Sequence, residues 1–360
     1  MSHYEARLEH DLERISEDLA GIAARVQEAL KSAVHALSSG DRTLAYACIL
    51  GDLPINRAVR KLDRVCHGFI AIHLPSGGHL RWISAVMRVN SALERIGDYA
   101  VTICREVVQL PKTPEGTLAR ELELISKEAR EMLGQAIRSF AQRNAEAARA
   151  TMTLADQVGR AFATVYEELT SGNSHWTKRD IYALLVIFQQ LERVSDQAKN
   201  ICEETVFAAT GQGKTPKTYR VLFLDRDNSG IGKLAEALGR KSYPKRMAFA
   251  SAGRTAAKSF DPLMAEIVGQ RGVDLSGESP RALTPVAGEL EEYHVVISLE
   301  GAVTDYLETI PFHTAALEWD LGRAPEPGAA DATERWDRIY RDLSVRLRDL
   351  VELMHGDEVE

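Results

Sequence analysis

The chain repeats itself. SALERIGDYAVTICREVV at residues 91–108 lines up with QQLERVSDQAKNICEETV at 189–206, an offset of 98. Leu, Glu, Arg, Asp, Ala, Ile, Cys, Glu and Val recur in register, with Cys104 opposite Cys202. Self-similarity at a fixed period means one supersecondary unit built twice. Each copy closes a set of three helical stretches. In the first stretch Leu8, Leu12, Ile15, Leu19, Ile22 and Val26 keep a three-and-four spacing, which makes one apolar helix face. Ser38-Ser39-Gly40-Asp41 reads as a stop followed by a new N-cap. The second stretch runs to about His73 and carries Pro54 in its interior, which predicts a kink or break. After the turn Pro75-Ser76-Gly77-Gly78, the third runs from about His79 to Leu110, closed by Pro111 and Pro114. The second set falls at about 116–142, 144–170 and 177–209, with breaks near Asn144 and at Ser171-Gly172-Asn173. Two bundles follow, at residues 1–112 and 113–210, each expected to close its own apolar faces.

The texture changes after a polar linker at residues 211–217, which contains Gly211, Gly213 and Pro216. YRVLFLD (219–225), RMAFASAG (246–253), YHVVISL (293–299) and HTAALEWD (313–320) read as strands. Helices are expected near 230–241, at PLMAEIVGQRG (262–272) and at 332–355. Alternating strands and helices imply an α/β domain with a parallel sheet at 218–360. The fold class is therefore multidomain: an all-α pair of three-helix bundles, then a parallel α/β layer.

Charge narrows the partners. With 44 basic and 52 acidic residues the formal charge is −8, so no direct nucleic-acid partner is expected, because phosphate neutralisation needs a basic surface. The charged, amphipathic start is not a signal peptide, and the strongest apolar run, Tyr182–Phe188, is far too short to cross a bilayer. A cytoplasmic location is expected. The cysteines Cys48, Cys66, Cys104 and Cys202 form no CxxC pair, so neither a disulfide framework nor a thiolate zinc site is indicated. Cys104 and Cys202 read as small core residues, and His67 and His73 as structural positions on an amphipathic helix.

The repeat places carboxylates four apart: Glu94 with Asp98, and Glu192 with Asp196. Four residues advance a helix by about 400°, so both acids share a face, with Thr102 and Asn200 further along the same stripe. Like charges at this spacing repel. A solvated face, an arginine or a hard cation would each relieve them; Arg95 and Arg193 point about 100° away.

ALERIGDYAVTI and QLERVSDQAKNI, with HLPSGGHLRWISAV and EETVFAATG, resemble PhoU, a family of phosphate-uptake regulators, over about residues 5–210. The resemblance implies metal clusters, each drawing one acidic motif from a third helix and one from a second helix. The third-helix motifs are present at Glu94/Asp98 and Glu192/Asp196. In the second helices Asp52 fits, but Asn56 stands where an acid is expected, and the corresponding pair of the other repeat falls on Ala155 and Gly159 with Asp156 nearby. One cation on Asp52, Glu94 and Asp98 is the stronger expectation, and a site on Glu192, Asp196 and Asn200 the weaker. Iron, zinc or manganese is the implied metal. The resemblance also implies a homodimer, negative regulation, and docking on the phosphate ABC transporter ATPase and a phosphate-sensing histidine kinase, with membrane association through those partners only.

The order VLFLDRDNSGIGKLAEAL, FASAG, RGVDLSGESPRAL, HVVISL, ALEWDL resembles the low-molecular-weight tyrosine phosphatase and arsenate reductase fold over about 219–355. Those enzymes place a cysteine after the first strand, an arginine six residues on and a distant Asp-Pro acid. Here the positions hold Asp225, Ile231 and Arg323, while the loop-shaping Asn228 and Ser229 remain. No cysteine follows Cys202. The implied module is inactive, and Asp225 and Asp227 would repel phosphate. The same Asp-x-Asp after a strand also resembles the first motif of haloacid-dehalogenase phosphatases, with Asp225 as nucleophile and Mg2+ as cofactor. A non-enzymatic regulator is the leading expectation; the Asp225 phosphatase and a purely structural adaptor are the alternatives.

Overall fold

The computed structural model describes residues 3–154, 169, 176–213, 218–245, 247–273, 275–283, 290–311, 314–326 and 328–355. The chain divides into two compact units, Met1–Thr215 and Pro216–Glu360.

The first unit contains α1 (His3–Ser39), α2 (Arg42–His73), α3 (Gly77–Gln109), α4 (Gly116–Ala141), α5 (Ala145–Met152) and α6 (Lys178–Thr210). The boundaries have local causes. Gly40 takes φ +70°, and Asp41 caps α2 by accepting the Leu44 N–H at 2.9 Å. Asn144 caps α5 by accepting the Ala147 N–H at 3.0 Å. Thr177 and Asp180 form a reciprocal capping box on α6, which Gly211 ends at φ +77°. Of the kink or break expected at Pro54, the break is absent: α2 runs on through it. Ile55, Val59, Leu62 and Cys66 are buried along this helix, and that packing outweighs the one backbone bond lost at proline. The expected break at 171–173 lies outside the described residues.

The two helical sets do not close separately. One continuous buried cluster runs from Leu12 and Ile15 of α1 through Ile83, Leu93 and Ile96 of α3 to Leu184, Leu191 and Ile201 of α6. The apolar stripes of α3 and α6 pack along each other and bring the duplicated segments together. Arg193 of the second copy lies over the Tyr99 ring of the first, 5.9 Å from its centroid. All four cysteines are buried and free, as core residues. His73 is buried against Phe69, and its Nε2 meets Asp11 Oδ2 at 2.9 Å; His67 is exposed.

The second unit is a parallel sheet in the order β2-β1-β3-β4. Its strands are β1 (Tyr219–Asp225), β2 (Met247–Gly253), β3 (Val295–Ser298) and β4 (Ala315–Glu318). Helices α7 (Ile231–Ser242), α8 (Pro262–Gln270) and α9 (Ala332–His355) accompany them. Alternation along β1 sends Val221 and Phe223 into one core with Leu234, Met264 and Trp336, and Leu222 and Leu224 into another with Val296 and Val303. The β1–α7 loop therefore lies at the carboxyl ends of central strands, where open α/β sheets bind ligands.

Candidate functional site

The first acidic seam lies between α2 and α3. Asp52 faces Gly97: a Cβ added there would stand 3.3 Å from Asp52 Oδ1. Asn56 Nδ2 donates to Asp52 Oδ2 at 2.5 Å. Asp52 Oδ1 and Asn56 Oδ1 are buried acceptors without a hydrogen-bond partner among the described residues. Burial, then the Asp98 charge, holds the Asp52 carboxyl above its usual pKa, against the pull of the Asn56 hydrogen bond and Arg105. Glu94 is half-buried and Asp98 exposed, while Thr102 Oγ1 is occupied by the Asp98 carbonyl at 2.9 Å.

In the second seam Glu192 is half-buried and Asp196 lies at the surface. The protein crowded around Asp196 raises its pKa, opposed by Lys199 and Arg193. Asn200 Nδ2 donates to Gln197 Oε1 at 3.4 Å. Ala155, Asp156 and Gly159, which the resemblance set opposite this motif, lie outside the described residues.

Among the described residues no group of three or more His, Cys, Asp or Glu is arranged to hold a metal ion. These residues therefore do not fit a multinuclear cluster. What the first seam does offer is oxygen donors of the type hard cations accept: the orphaned Asp52 and Asn56 oxygens, near Asp98. The sequence reading did not see the part of Gly97, whose missing side chain lets Asp52 approach α3; a glycine inside a helix is the signal that marked it.

The second candidate site is the loop from Asp225 to Gly232. Asp225 is 2% exposed. Its Oδ1 accepts the Asn228 N–H at 2.6 Å and its Oδ2 accepts the Gly232 N–H at 2.7 Å. Desolvation pushes its pKa up to about 7, although those two N–H groups pull it down; Glu300 and Asp227 push it further up. Asn228 takes the left-handed conformation, φ +57°, and is clamped there. Its Nδ2 donates to Ser251 Oγ at 2.8 Å and its Oδ1 accepts the Arg281 N–H at 3.1 Å. Ser251 Oγ in turn donates to Glu236 Oε2 at 2.6 Å, and Lys233 Nζ bridges Glu236 to Glu278. Ser229 spends its N–H (3.0 Å) and Oγ (2.6 Å) on Asp227 Oδ1.

Glycines admit the close packing. A Cβ on Gly253 would stand 2.4–2.5 Å from backbone atoms of Thr255, Asp227 and Asn228, and one on Gly230 would stand 3.0 Å from the Trp336 ring. Ile231 is fully buried in the core with Trp336, so nothing from that position reaches an anion at the loop. Arg323 is exposed. Glu300 is nearer the loop: its Oε1 accepts the Ala324 N–H at 3.3 Å, and burial, with help from Asp227, raises its pKa. Sequence reading missed Glu300, the Glu236–Lys233–Glu278 network and the seating of Asp225 itself.

Fold and sites together define a two-part protein: a duplicated helical bundle with an acidic seam in each repeat, and an α/β domain on a four-stranded parallel sheet. The PhoU domain model matches the helical part twice, at residues 19–107 and 122–205. It is 26% identical over 212 residues to the "Phosphate-specific transport system accessory protein PhoU" of Serratia marcescens, covering 58% of this chain and 87% of that one. The crystal structure of PhoU from Pseudomonas aeruginosa superposes with a TM-score of 0.54 at 27% identity, over 57% of this chain and 99% of that one. An arsenate reductase in its phosphate-binding state covers 38% of this chain and 99% of its own, at 20% identity and TM-score 0.31. No helix among the described residues is long and apolar enough to cross a membrane.

Proposed function

We propose that this protein regulates phosphate uptake and phosphate-starvation signalling as a PhoU-type accessory protein. The observation that carries the reading is the PhoU domain matched twice, in register, on helices that share one core. The relatives' designation as accessory proteins of phosphate-specific transport supports it. The helical unit docks, as a cytoplasmic homodimer, on the phosphate transporter's ATPase and on a phosphate-sensing histidine kinase, and restrains both when phosphate is plentiful. The first acidic seam holds iron, zinc or manganese as a single ion through Asp52 and Asp98, with Glu94 on the same stripe; Glu192, Asp196 and Asn200 form a weaker site. A bound cation would neutralise the crowded carboxylates and tie α2 to α3.

The α/β unit is catalytically inert in this reading. Asp225 stands in place of a thiolate, Ile231 is buried and Arg323 carries no acidic proton. The rival Asp225 phosphatase needs a carboxylate oxygen open to substrate, and Asp225 is buried, with each oxygen turned to a backbone N–H. The test is a pull-down of the transporter ATPase and histidine kinase with the full chain, beside p-nitrophenyl phosphate and arsenate assays with and without Mg2+. Capture of those partners without turnover is the expected result. Turnover that disappears in Asp225→Asn would replace the regulator reading of this unit with the Mg2+ phosphatase.

A further inference from the structure

Helix α2 carries two seams on opposite sides. Along one, Ala45, Cys48, Ile55, Val59, Leu62 and Cys66 are buried. Along the other, Tyr46, Leu50, Leu53, Arg57, Arg60 and Arg64 follow at alternating steps of four and three residues, and all are exposed. That alternation is the period of about 3.5 residues at which one helix can lie along another and keep the same side chains in contact. Single apolar residues are ordinary on a surface, but three in register are not. Tyr46, Leu50 and Leu53 are 54%, 67% and 58% exposed.

We propose that this outward seam, Tyr46 to Arg64, docks a single helix of an acidic partner protein. The partner's apolar residues pack on Tyr46, Leu50 and Leu53, and its carboxylates face Arg57, Arg60 and Arg64. This goes beyond the regulatory reading and does not rest on it, since the seam takes such a helix whichever protein supplies it.

Charge selects the occupant. Among the described residues no acid pairs with the three arginines: Asp18 takes the neighbouring Lys61 (3.2 Å), Asp63 lies against His67 (3.5 Å) and Asp52 accepts from Asn56. Arg60 Nε donates to the Asn56 carbonyl at 3.2 Å, within its own helix. A partner carboxylate therefore gains a cation without displacing another acid. A second copy of the same seam offers no acid to these arginines. Its three apolar side chains, exposed as they are, also supply under half of the roughly 800 Å² per side that a stable dimer buries. A flat anionic lipid surface would meet Glu17 and Asp18 of α1 as well, because they line the groove beside Arg57 and Lys61. A helix about 10 Å wide can follow the seam alone.

The test titrates full-length protein into two labelled helical peptides of about 18 residues, read by fluorescence anisotropy. One carries leucines and then glutamates at the same four-and-three spacing; in the other, lysines replace the glutamates. The glutamate peptide should bind saturably, and less tightly as salt rises. Arg57→Glu/Arg64→Glu should weaken it at least about tenfold and make the lysine peptide the tighter ligand, and Leu50→Ala/Leu53→Ala should weaken it as much. Lys127→Glu/Arg130→Glu, exposed on α4, should leave it unchanged. All these side chains lie at the surface, so circular dichroism should show the variants folded. Failure of the glutamate peptide to bind, equal binding of the two peptides, or binding that either α2 pair leaves intact overturns the proposal. So does an absence of peptide binding beside co-sedimentation with phosphatidylglycerol vesicles, or beside self-association, that the α2 substitutions abolish; those results would give the seam to lipid or to a second copy.

Discussion

A carboxylate buried at the end of β1 loses its water, and two backbone N–H groups return only part of that solvation. The consequence is a pH dependence with a definite sign. In the unfolded chain Asp225 titrates near 3.8, and in the folded domain near 7. Between those values the folded state holds a proton that the unfolded chain has released. The stability Asp225 contributes is therefore complete below about pH 4 and lost as the pH rises through about 7. Its size is at most about 4 kcal/mol, from a shift of roughly three pH units. Denaturant midpoints of the full chain, measured from pH 4 to 8, should fall more steeply for wild type than for Asp225→Asn. Parallel slopes would show that the buried carboxyl is not the source. Asp225→Cys should not yield phosphatase activity, because the buried Ile231 supplies no guanidinium and Asp227 still repels the substrate; measurable turnover on p-nitrophenyl phosphate would contradict this. Gly253→Ala forces a methyl against three backbone atoms that have no rotamer to yield. It should lower stability by about 1–3 kcal/mol, read as a reduced denaturant midpoint.

Between helices, the two acidic seams have the same motif and different surroundings. Asp98 stands near Asp52 of α2, where Asp52 and Asn56 each keep an unsatisfied oxygen. Glu192→Gln/Asp196→Asn changes a seam where Asn200 pairs with Gln197. Metal analysis of purified protein should show a larger loss of iron, zinc or manganese from Glu94→Gln/Asp98→Asn than from the second-seam pair. Equal losses would mean that the second helix contributes nothing, and an absence of metal in wild type would remove the seam's proposed ligand. The motif spacing was readable because it recurs at a fixed offset. The closeness of Asp52 to α3 was not, because it depends on Gly97 meeting α2, a contact 45 residues apart in the chain.

Over the whole molecule, the division into a helical and an α/β unit follows the change in hydrophobic periodicity, but the helical unit is one body where the repeat suggested two. A chain ending at about Gly213 keeps the entire buried cluster and should be soluble and strongly helical by circular dichroism, and should still capture the transporter ATPase or the histidine kinase. Loss of capture with the fold intact would make the α/β unit part of the docking surface. Residues 1–112 alone should not fold as well: they leave bare the face of α3 that α6 covers, and broad, non-cooperative unfolding is the expected signature.

Periodic information was enough for the long described helices, for the strand at 219–225 and for the duplicated acids, because a helix face, a strand's alternation and a repeat are all properties of neighbours along the chain. Asp225, Ile231 and Arg323 were equally readable, as residue identities. What needed the tertiary structure were the relations between distant residues. The two repeats share a core because α3 and α6 each present an apolar stripe that the other buries. Pro54 sits in an unbroken helix because burial along α2 outweighs one missing hydrogen bond. Asp225, expected only to repel an anion, is itself seated in the loop, because Gly232 leaves a space its carboxyl can reach and two N–H groups there point at it.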